Sequence, residues 1–494
     1  MKNLRVSENK IFTIYVVAFL LAVYGGMLIT LPFAHLGNII FFNLGALTLP
    51  SLALFLGICV LAVWKRNFYF LFLIFVILAF PAPIDDLFPS VRITNIDDRD
   101  QVFFPLITRI DLYLILGILL KLTESSSRLQ TVKFTLPLKI LLIFLLFAFV
   151  AHIFNALDLW DVNILLAYTF HIRYLILFLI LVQQYNLKKY QKQIVFSFVI
   201  SLSFLLIEAY INSSVRGTSR LISGSLSLNT FANIAAAIAL YMVVLVRHRK
   251  VSRIVGFSAI GIALVIIIAS ETRGAIITLI LAYFAIYLLS NHKKIVVNSL
   301  KVVMGIFLLG ITYLIASNNN YIPERYSYRE ISDKIEIDFS EKSLNKIINV
   351  KWTEQTSSIR SRIDFFDASL NMIVENPSVG IGVGRWNRHK NLYSEDNKIP
   401  KVLLDTHNDY LALMSQYGIV LGLLFAWTVF FYPFPPFAKI KKKTDSPLSH
   451  LYVINFAMSI AALSNAGFFK HQVSALLLFC LCITIKLRYE PDNL

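Results

Sequence analysis

The sequence predicts an all-α, polytopic membrane protein of about 12–14 transmembrane helices, with one large loop on the outer side of the membrane. Three observations predict this class. Hydrophobic residues make up 57% of the 494 residues and charged residues only 15%, and the mean hydropathy is +0.69. Apolar runs of about 17–24 residues recur along the chain, a length that crosses a hydrocarbon core of about 30 Å. The connections between these runs alternate in charge.

The charge alternation predicts the orientation. The net charge is +17, but its basic residues lie in every second connection, whereas the connections between them, such as 83–100 and 157–161, are acidic or neutral. Basic loops remain in the cytoplasm, so both termini are expected there. The positive charge then needs no nucleic-acid partner. The basic connections are Lys65-Arg66, 121–133, Lys188-Lys189, 247–250, 292–294 and 439–443.

The chain start and the cysteines give two further expectations. The first apolar run, from Ile11 to Phe33, follows basic residues as a signal peptide would. It is too long for a signal-peptide core and lacks a small-residue cleavage site, so we expect a retained first span. Cys59, Cys480 and Cys482 all lie within apolar runs. This placement offers neither a disulfide framework nor a thiolate metal site.

The long polar connection divides the chain into three parts. Residues 1–317 are predicted as N-terminal transmembrane helices, 318–406 as the large outer loop, and 407–494 as C-terminal transmembrane helices. The loop carries 13 Lys and Arg against 13 Asp and Glu, so it has no net charge with which to attract an anion. An anion site must therefore be built from individually placed groups. A connection of this length within a compact fold is usually functional.

One segment of the loop, "SSIRSRIDFFDASLNMIVENP", predicts a helix over 357–376. Ser357 or Ser358 can cap its start, and Pro377 ends it because the residue before a proline avoids the helical region. Apolar residues recur with the spacing of one helical face. They are Ile359, Ile363, Phe366, Leu370 and Ile373.

Two arginines of this helix differ in their neighbours. Arg360 has Asp364 four residues on, which favours an exposed ion pair. Arg362 has Phe366 four residues on and flanks the apolar face, so it can approach whatever that face covers. A surface arginine lying over apolar neighbours is the alternative for Arg362. The glycines of the following "GIGVGRWNRH", 380–389, come after a helix and a proline, so they predict a close-packed turn and not a dinucleotide site.

Further cations lie near the outer ends of spans. Arg273 lies in "IIIASETRGAIITL", 266–279, where two spans meet with almost no loop. Ionisable groups at membrane depth are candidates for function, although an arginine anchoring a hairpin at the interface is the alternative. "HIRYL", 171–175, places His171 and Arg173 inside a span, where we expect them to face a polar cavity. An outer loop adds Arg216 and Arg220.

"DTHNDYLALMSQYGIVLG", 405–422, places a histidine where the outer loop meets the next apolar run. Imidazole titrates near neutral pH, so His407 can take a proton from an acceptor hydroxyl. The alternative is that His407 caps or anchors the next helix, as Asp405 or Asn408 could.

Three stretches resemble, in order and spacing, the motifs of the bacterial O-antigen ligase and O-antigen polymerase superfamily. They are "SETRGA" at 270–275, "SRIDFFDASLNMIVENPSVGIGVGRW" at 361–386 and "HNDYLALMSQYGIVLG" at 407–422. The family has a Ser-x-x-Arg-Gly hairpin, an Arg with an aromatic four residues on, then Pro and Gly-x-Gly. A His-Asn pair follows, then nine intervening residues and a Gly; Gly418 completes that element here. Phe366 stands where tryptophan is commoner.

The resemblance, over about residues 205–435, implies a GT-C-like membrane glycosyltransferase in the bacterial inner membrane, with its large loop in the periplasm. Such an enzyme takes a glycan from undecaprenyl diphosphate and joins it to an acceptor hydroxyl, which for a ligase belongs to lipid A–core. The resemblance implies His407 as the catalytic residue and Arg273 and Arg362 as diphosphate ligands. Arg220 and Asn408 are added as substrate-binding residues.

Further candidates for substrate contact are Arg173, Arg216 and Arg360. The implied reaction inverts the anomeric centre and uses neither a metal nor another cofactor. A rival metal site would use the outer-loop carboxylates Asp97, Asp98 and Asp100.

Other functions remain open from the sequence. The first alternative to a ligase is an O-antigen or surface-polysaccharide polymerase. The next are a protein O-glycosylating relative, a transporter or flippase of lipid-linked glycans, and a non-catalytic assembly scaffold. The sequence ends at "KLRYEPDNL" soon after an apolar run, which disfavours the longer protein-modifying relatives. A transporter is expected to show inverted repeats and broken spans in matching positions, and the sequence shows none.

Overall fold

The computed structural model describes residues 40–80, 90–93, 102–105, 107–123, 135–159, 162–218, 220–221, 226–290, 335–337, 348–350, 357–394, 406–434, 446–464, 467–468 and 470–489. The predicted first span, Ile11 to Phe33, lies outside these residues, as does most of the loop before residue 357. The sequence-based boundaries 1–317, 318–406 and 407–494 therefore stay predictions.

The described part is dominated by helices, which confirms the helical class. The helices before the large loop are α1 (Ile40–Trp64), α2 (Asn67–Leu78), α3 (Arg109–Leu122), α4 (Leu136–Leu159), α5 (Val162–Gln184), α6 (Leu187–Arg216), α7 (Leu228–Arg247), α8 (Arg253–Ala269) and α9 (Arg273–Ser290). Two short antiparallel ribbons accompany them. They pair β1 (Ser90–Ile93) with β2 (Val102–Pro105), and β3 (Ile335–Ile337) with β4 (Ile348–Val350).

The remaining helices are α10 (Ser357–Glu375), α11 (Trp386–His389), α12 (Asp409–Tyr417), α13 (Ile419–Ala426), α14 (Tyr452–Ala461) and α15 (His471–Tyr489). A π-helical turn, Trp427–Phe431, continues α13, and a 3₁₀ turn, Pro447–His450, precedes α14. The apolar run that follows His407 is therefore not one helix. It is broken at Gly418, which has φ 84° and ψ 166°, a conformation that favours glycine.

Two helices in the described part are long and apolar enough to cross a membrane, Leu187–Ser214 and Leu228–Arg247. This is compatible with a helical membrane protein, and the count of 12–14 spans stays a prediction. Shorter apolar helical segments of 10–17 residues lie at Leu52–Trp64, Phe68–Leu78, Leu136–Ala151, His171–Gln184, Arg253–Ala269, Arg273–Tyr287, Ile419–Phe431 and His471–Leu487.

The core contains polar groups that are paired with backbone. Asn455 of α14 donates from Nδ2 to the carbonyls of Val429 and Leu477, at 2.7 and 3.0 Å. These bonds join α14 to the π-helical turn and to α15. A buried amide without partners would be costly, so each bond also fixes how these helices pack.

Several of the connections that are predicted to be cytoplasmic contact other connections or helix ends. Lys486 of α15 donates from Nζ to the carbonyls of Val182 and Tyr185, at 2.9 and 2.8 Å, where α5 ends. A cation at a helix C-terminus is favourable because it compensates the helix dipole. Arg66 also contacts Thr123, at 3.4 Å. Nζ of Lys121 lies 5.8 Å from the ring centroid of Tyr185, so the connections around residues 66, 123 and 185 lie together.

Two other basic connections also meet. The imidazole rings of His248, after α7, and His450, in the 3₁₀ turn, stack with centroids 4.9 Å apart. Nearby, Tyr241 donates its hydroxyl to the carbonyl of Pro447, at 3.2 Å. The connections at 247–250 and before α14, predicted to lie on the same side of the membrane, therefore contact each other.

Candidate functional site

The hairpin between α8 and α9 presents Arg273 as the first residue of a helix. Ser270 and Thr272 are buried, whereas Arg273 is exposed. Glu271, between them, has φ 53°, which is uncommon for a residue other than glycine. The turn is thus tightly wound between buried Ser270 and Thr272. Arg273 is therefore solvent-exposed at the first residue of α9.

Arg220 holds this hairpin from the side. Its Nη2 donates to the carbonyl of Ser270 at 3.0 Å, and its Nε lies 3.4 Å from Oε2 of Glu271. The neighbouring Leu221 donates its N–H to the carbonyl of Ala269 at 2.9 Å. Arg220 therefore braces the turn that carries Arg273. Its predicted contact with substrate stays a prediction.

His407 and Asn408 form the entry to α12. Asn408 caps the helix by accepting the N–H of Leu411 at Oδ1, 3.0 Å, and its Nδ2 donates to the carbonyl of Leu463 at 3.1 Å. Both halves of the Asn408 amide are thus engaged with backbone. The capping role considered for this segment belongs to Asn408, and its predicted substrate contact stays a prediction. His407 is partly exposed and has φ 50°.

The hairpin with Arg273 and the entry to α12 meet on one segment after α14. A Cβ added to Gly274 would stand 3.3 Å from Oγ of Ser464. On the same segment, Asp409 donates its N–H to the carbonyl of Ala462 at 2.9 Å, next to the bond from Asn408 to Leu463. Residues 462–464 therefore bring together two motifs that lie more than a hundred residues apart in the sequence.

Helix α10 joins the same site through an aromatic contact. The rings of Phe365 and His407 stack with centroids 5.7 Å apart and planes inclined by 27°. Arg362 lies one turn before Phe365 and is partly buried. The structure thus gathers the segments carrying Arg273, Arg362 and His407. The side chains of Arg216 and Arg360 lie outside the described part, so their candidacy stays a prediction.

The buried face of α10 differs from the predicted one. Phe365, Ala368 and Met372 are fully buried and pack with Ile381 and Trp386. Leu370, predicted for the core face, is 41% exposed, so this part of the prediction is wrong. The buried face extends to the Phe365 side because Ile381 and Trp386, from the chain that follows, pack there, and a helical count does not reveal this contact. Ile363 and Ile373, also predicted for the face, are buried.

The glycines after α10 form the close-packed turn that the sequence predicts. Ile381 and Gly382 donate their N–H groups to the carbonyls of Ser415 and Gln416 at the end of α12, at 2.9 and 3.1 Å. Gly380 has φ 68°, and a Cβ there would lie 2.5 Å from the carbonyl carbon of Gln416. Gly418 is restricted in a similar way, because a Cβ there would lie 2.4 Å from the carbonyl oxygen of Ser378. These glycines clamp α10 to α12.

Arg173 and His171 face protein groups inside the bundle. Arg173 pairs with Asp111, Nε to Oδ1, at 2.8 Å. Nδ1 of His171 and the hydroxyl of Tyr417 lie 2.8 Å apart, and the His171 ring stacks on Phe468 with centroids 4.8 Å apart. His171 thereby supports the end of α12. The contact of Arg173 with substrate stays a prediction.

Phe468 links this interior group to the candidate site. Its N–H donates to Oδ1 of the buried Asp409 at 2.8 Å. Asp409 begins α12 and Tyr417 ends it, so both ends of α12 are tied to the same interior contacts. Sequence reasoning did not single out Phe468 or Asp409, because their partners come from distant segments.

No group of three or more His, Cys, Asp or Glu side chains suited to a metal lies within the described residues. The rival carboxylates Asp97, Asp98 and Asp100 lie outside them.

Comparison with known proteins identifies the central region. Residues 260–426, about a third of the chain, match the family described as O-antigen ligase. No curated protein matches the chain. The match includes the segments of Arg273, Arg362 and His407. That family is associated with bacterial membranes and with glycosyltransferase or ligase-type activity on a lipid-linked glycan. Residues 260–426 are therefore similar to the O-antigen ligase family, and this match supports the resemblance to the O-antigen ligase and polymerase superfamily.

Proposed function

We propose that the chain is an O-antigen ligase-type glycosyltransferase, which moves a glycan from undecaprenyl diphosphate to a hydroxyl of lipid A–core at the periplasmic face. The observation that carries this proposal is the convergence of three segments within the region that matches the O-antigen ligase family. The hairpin of Arg273 and the entry to α12 share residues 462–464, and α10 reaches the same entry through Phe365.

In this proposal Arg273 and Arg362 hold the diphosphate. Negative charge develops on the diphosphate as it leaves the anomeric carbon, and guanidinium groups stabilise phosphate oxygens through paired, directional hydrogen bonds. The exposure of Arg273 supports this role, since a lipid-borne anion can reach it. Arg220 then acts mainly by bracing the Arg273 hairpin.

His407 takes the proton of the acceptor hydroxyl as the oxygen attacks the anomeric carbon. Nδ1 of His407 is buried, which favours Nε2 as the atom that accepts the proton. A base that activates a nucleophile opposite the departing diphosphate gives inversion of the anomeric centre. The proton ends on His407, and the electron pair of the broken bond leaves with the diphosphate.

No step in this scheme requires a metal, so EDTA should leave transfer intact. Loss of transfer that added metal restores would favour a carboxylate site.

The surface polysaccharide of a deletion strain tests the acceptor. A ligase predicts intact lipid A–core without O-chains, together with full-length polymer left on the carrier. A single repeat unit on lipid A–core would instead identify a polymerase of the same superfamily. Unchanged polysaccharide in the deletion strain would contradict both. Complementation with the parental gene must restore the normal pattern.

A further inference from the structure

The aromatic contact with His407 comes from a residue that the family motifs do not include. The motif aromatic, four residues after Arg362, is Phe366, which is only partly buried. The ring that stacks on His407 is that of Phe365, with centroids 5.7 Å apart and planes 27° apart. This separation with nearly parallel planes is an offset stack, which is a preferred arrangement for aromatic pairs.

Phe365 is itself held rigidly. Its side chain is fully buried, and the edge of Trp386 meets it in a T-shaped contact with centroids 5.5 Å apart. Trp386 in turn donates from Nε1 to Oγ of Ser369 at 2.9 Å. Ser369 donates to the carbonyl of Phe365 at 2.7 Å. The Phe365 ring is therefore fixed by packing on one side and by hydrogen-bonded neighbours on the other.

His407 needs such support because its backbone is unusual. Its φ of 50° lies in the left-handed region, which residues other than glycine adopt at an energetic cost. Such a conformation persists where the surrounding contacts determine it. The Asn408 cap fixes the chain after His407, and the Phe365 ring faces the side chain itself.

We propose that Phe365 is a positioning residue for His407, and this inference rests on the proposed function. The Phe365 ring sets the plane of the imidazole and so aims its nitrogen at the acceptor hydroxyl. After proton transfer, the imidazolium lies within the distance at which an aromatic face attracts a cation. Because α10 carries both Phe365 and Arg362, the same helix fixes the spacing between the base and one diphosphate ligand.

The test compares Phe365→Leu with Phe365→Tyr in glycan transfer by the full-length protein in proteoliposomes. Phe365→Leu should lower kcat about tenfold or more while KM for the donor changes less than about twofold, because a misaligned base slows the chemical step. Phe365→Tyr keeps an aromatic ring and should retain most of the parental kcat. Phe366→Leu, which changes the adjacent aromatic, should leave kcat within about twofold.

Two further measurements separate positioning from general loss of structure. Met372→Ala removes buried volume from the same cluster two turns along α10. This variant should lower thermal stability but should not show the loss of kcat that is expected for Phe365→Leu. In protein with isotope-labelled histidine, the His407 ring resonance, assigned by its absence in His407→Gln, should shift in Phe365→Leu and not in Met372→Ala. This shift reports the ring contact directly.

An unshifted His407 resonance and an unchanged kcat in Phe365→Leu would overturn the inference. Equal kcat losses in Phe365→Leu and Met372→Ala would overturn it as well, since the effect would then be loss of packing. If the parental protein transfers no glycan at all, the proposed function fails and the catalytic role of Phe365 fails with it. The spectroscopic comparison distinguishes that case, because it would still show the contact.

Discussion

At the scale of single residues, the sequence draws attention to ionisable groups and not to the residues that pack against them. Arg273, Arg362 and His407 stand out in the sequence because charged groups are rare near apolar runs. Phe365 does not, since aromatic residues are common in this chain and its partner lies more than forty residues away. The helical spacing of apolar residues assigned Phe366 to the buried face, because this method assumes that the most apolar face of a helix is the one that packs on the core.

Replacing the two arginines by lysine tests whether the guanidinium shape is needed. Arg273→Lys and Arg362→Lys should fold but lose most transfer activity, because an ammonium group cannot reproduce the paired contacts of a guanidinium. Losing one charge-assisted hydrogen bond costs about 1.5–3 kcal/mol, or roughly ten- to a hundredfold in rate. The measurement is donor-dependent transfer in proteoliposomes.

Arg360→Ala is the matched control in the same helix. The pair with Asp364 that the sequence spacing predicts would contribute only about 0.2–0.5 kcal/mol, so this variant should retain most of its activity. Equal losses for Arg360→Ala and Arg362→Lys would contradict the distinction between the two arginines.

The stacked histidines His248 and His450 predict a dependence of stability on pH. Burial, with His248 and Lys250 nearby, lowers the pKa of His450 from 6.5 to about 4. Burial, with Arg247 and Lys250 nearby, also lowers the pKa of His248. The unfolded chain therefore binds these protons more readily than the folded protein does. Stability is complete above about pH 6.5 and falls as the pH drops toward about 4.

Thermal unfolding of the purified protein between pH 7.5 and pH 4.5 checks this expectation. His450→Phe keeps an aromatic ring without the titrating nitrogen, so its unfolding temperature should fall less steeply with pH. The difference should be of the order of 2 kcal/mol at the acid end, since one pKa unit corresponds to about 1.4 kcal/mol. Identical pH profiles for the two proteins would exclude His450 as the source.

At the scale of elements, the local sequence predicted the helix in the large loop, but it did not predict how this helix packs against α12. Pro377 and the apolar spacing predicted a helix over 357–376, and the structure has α10 at Ser357–Glu375. The break of the next apolar run at Gly418 was not predicted. It depends on the close approach of Ser378 from another segment, which local sequence does not report.

Alanine substitutions of the glycines test the clamp between α10 and α12. Gly418→Ala should lower the free energy of unfolding by about 3 kcal/mol or more, because it combines an unfavourable φ with a backbone clash. Gly217 is the matched control: it has φ 65°, but a Cβ there would meet nothing within 4 Å. Gly217→Ala should therefore cost only about 1–2 kcal/mol. Comparable unfolding temperatures for the two variants would contradict the clamp.

At the scale of the whole molecule, some of the connections that the charge alternation assigns to the cytoplasm contact one another. Basic connections meet at residues 66, 123 and 185, and again at His248 and His450. The hairpin of Arg273, the Arg220 loop and the entry to α12 also lie close together. The number of spans depends on segments outside the described part.

Cysteine labelling tests the predicted orientation. In a background without Cys59, Cys480 and Cys482, we expect Val374→Cys and Leu392→Cys to react with an impermeant maleimide in cells with a permeabilised outer membrane. Both side chains are about three-quarters exposed, at 77% and 76%. Lys188→Cys, also exposed and in a basic connection, should react only after lysis. The opposite pattern would reverse the orientation and contradict a periplasmic site.

The central claim is that His407 catalyses glycan transfer from a polyprenyl-diphosphate donor. The most direct measurement is the transfer rate of purified parental and His407→Ala protein in proteoliposomes containing undecaprenyl-diphosphate glycan and lipid A–core. General-base catalysis contributes about 10²–10⁴-fold, so His407→Ala should lose at least about a hundredfold in rate while still binding the donor through the arginines. A His407→Ala protein that transfers glycan at more than about a tenth of the parental rate would contradict the account.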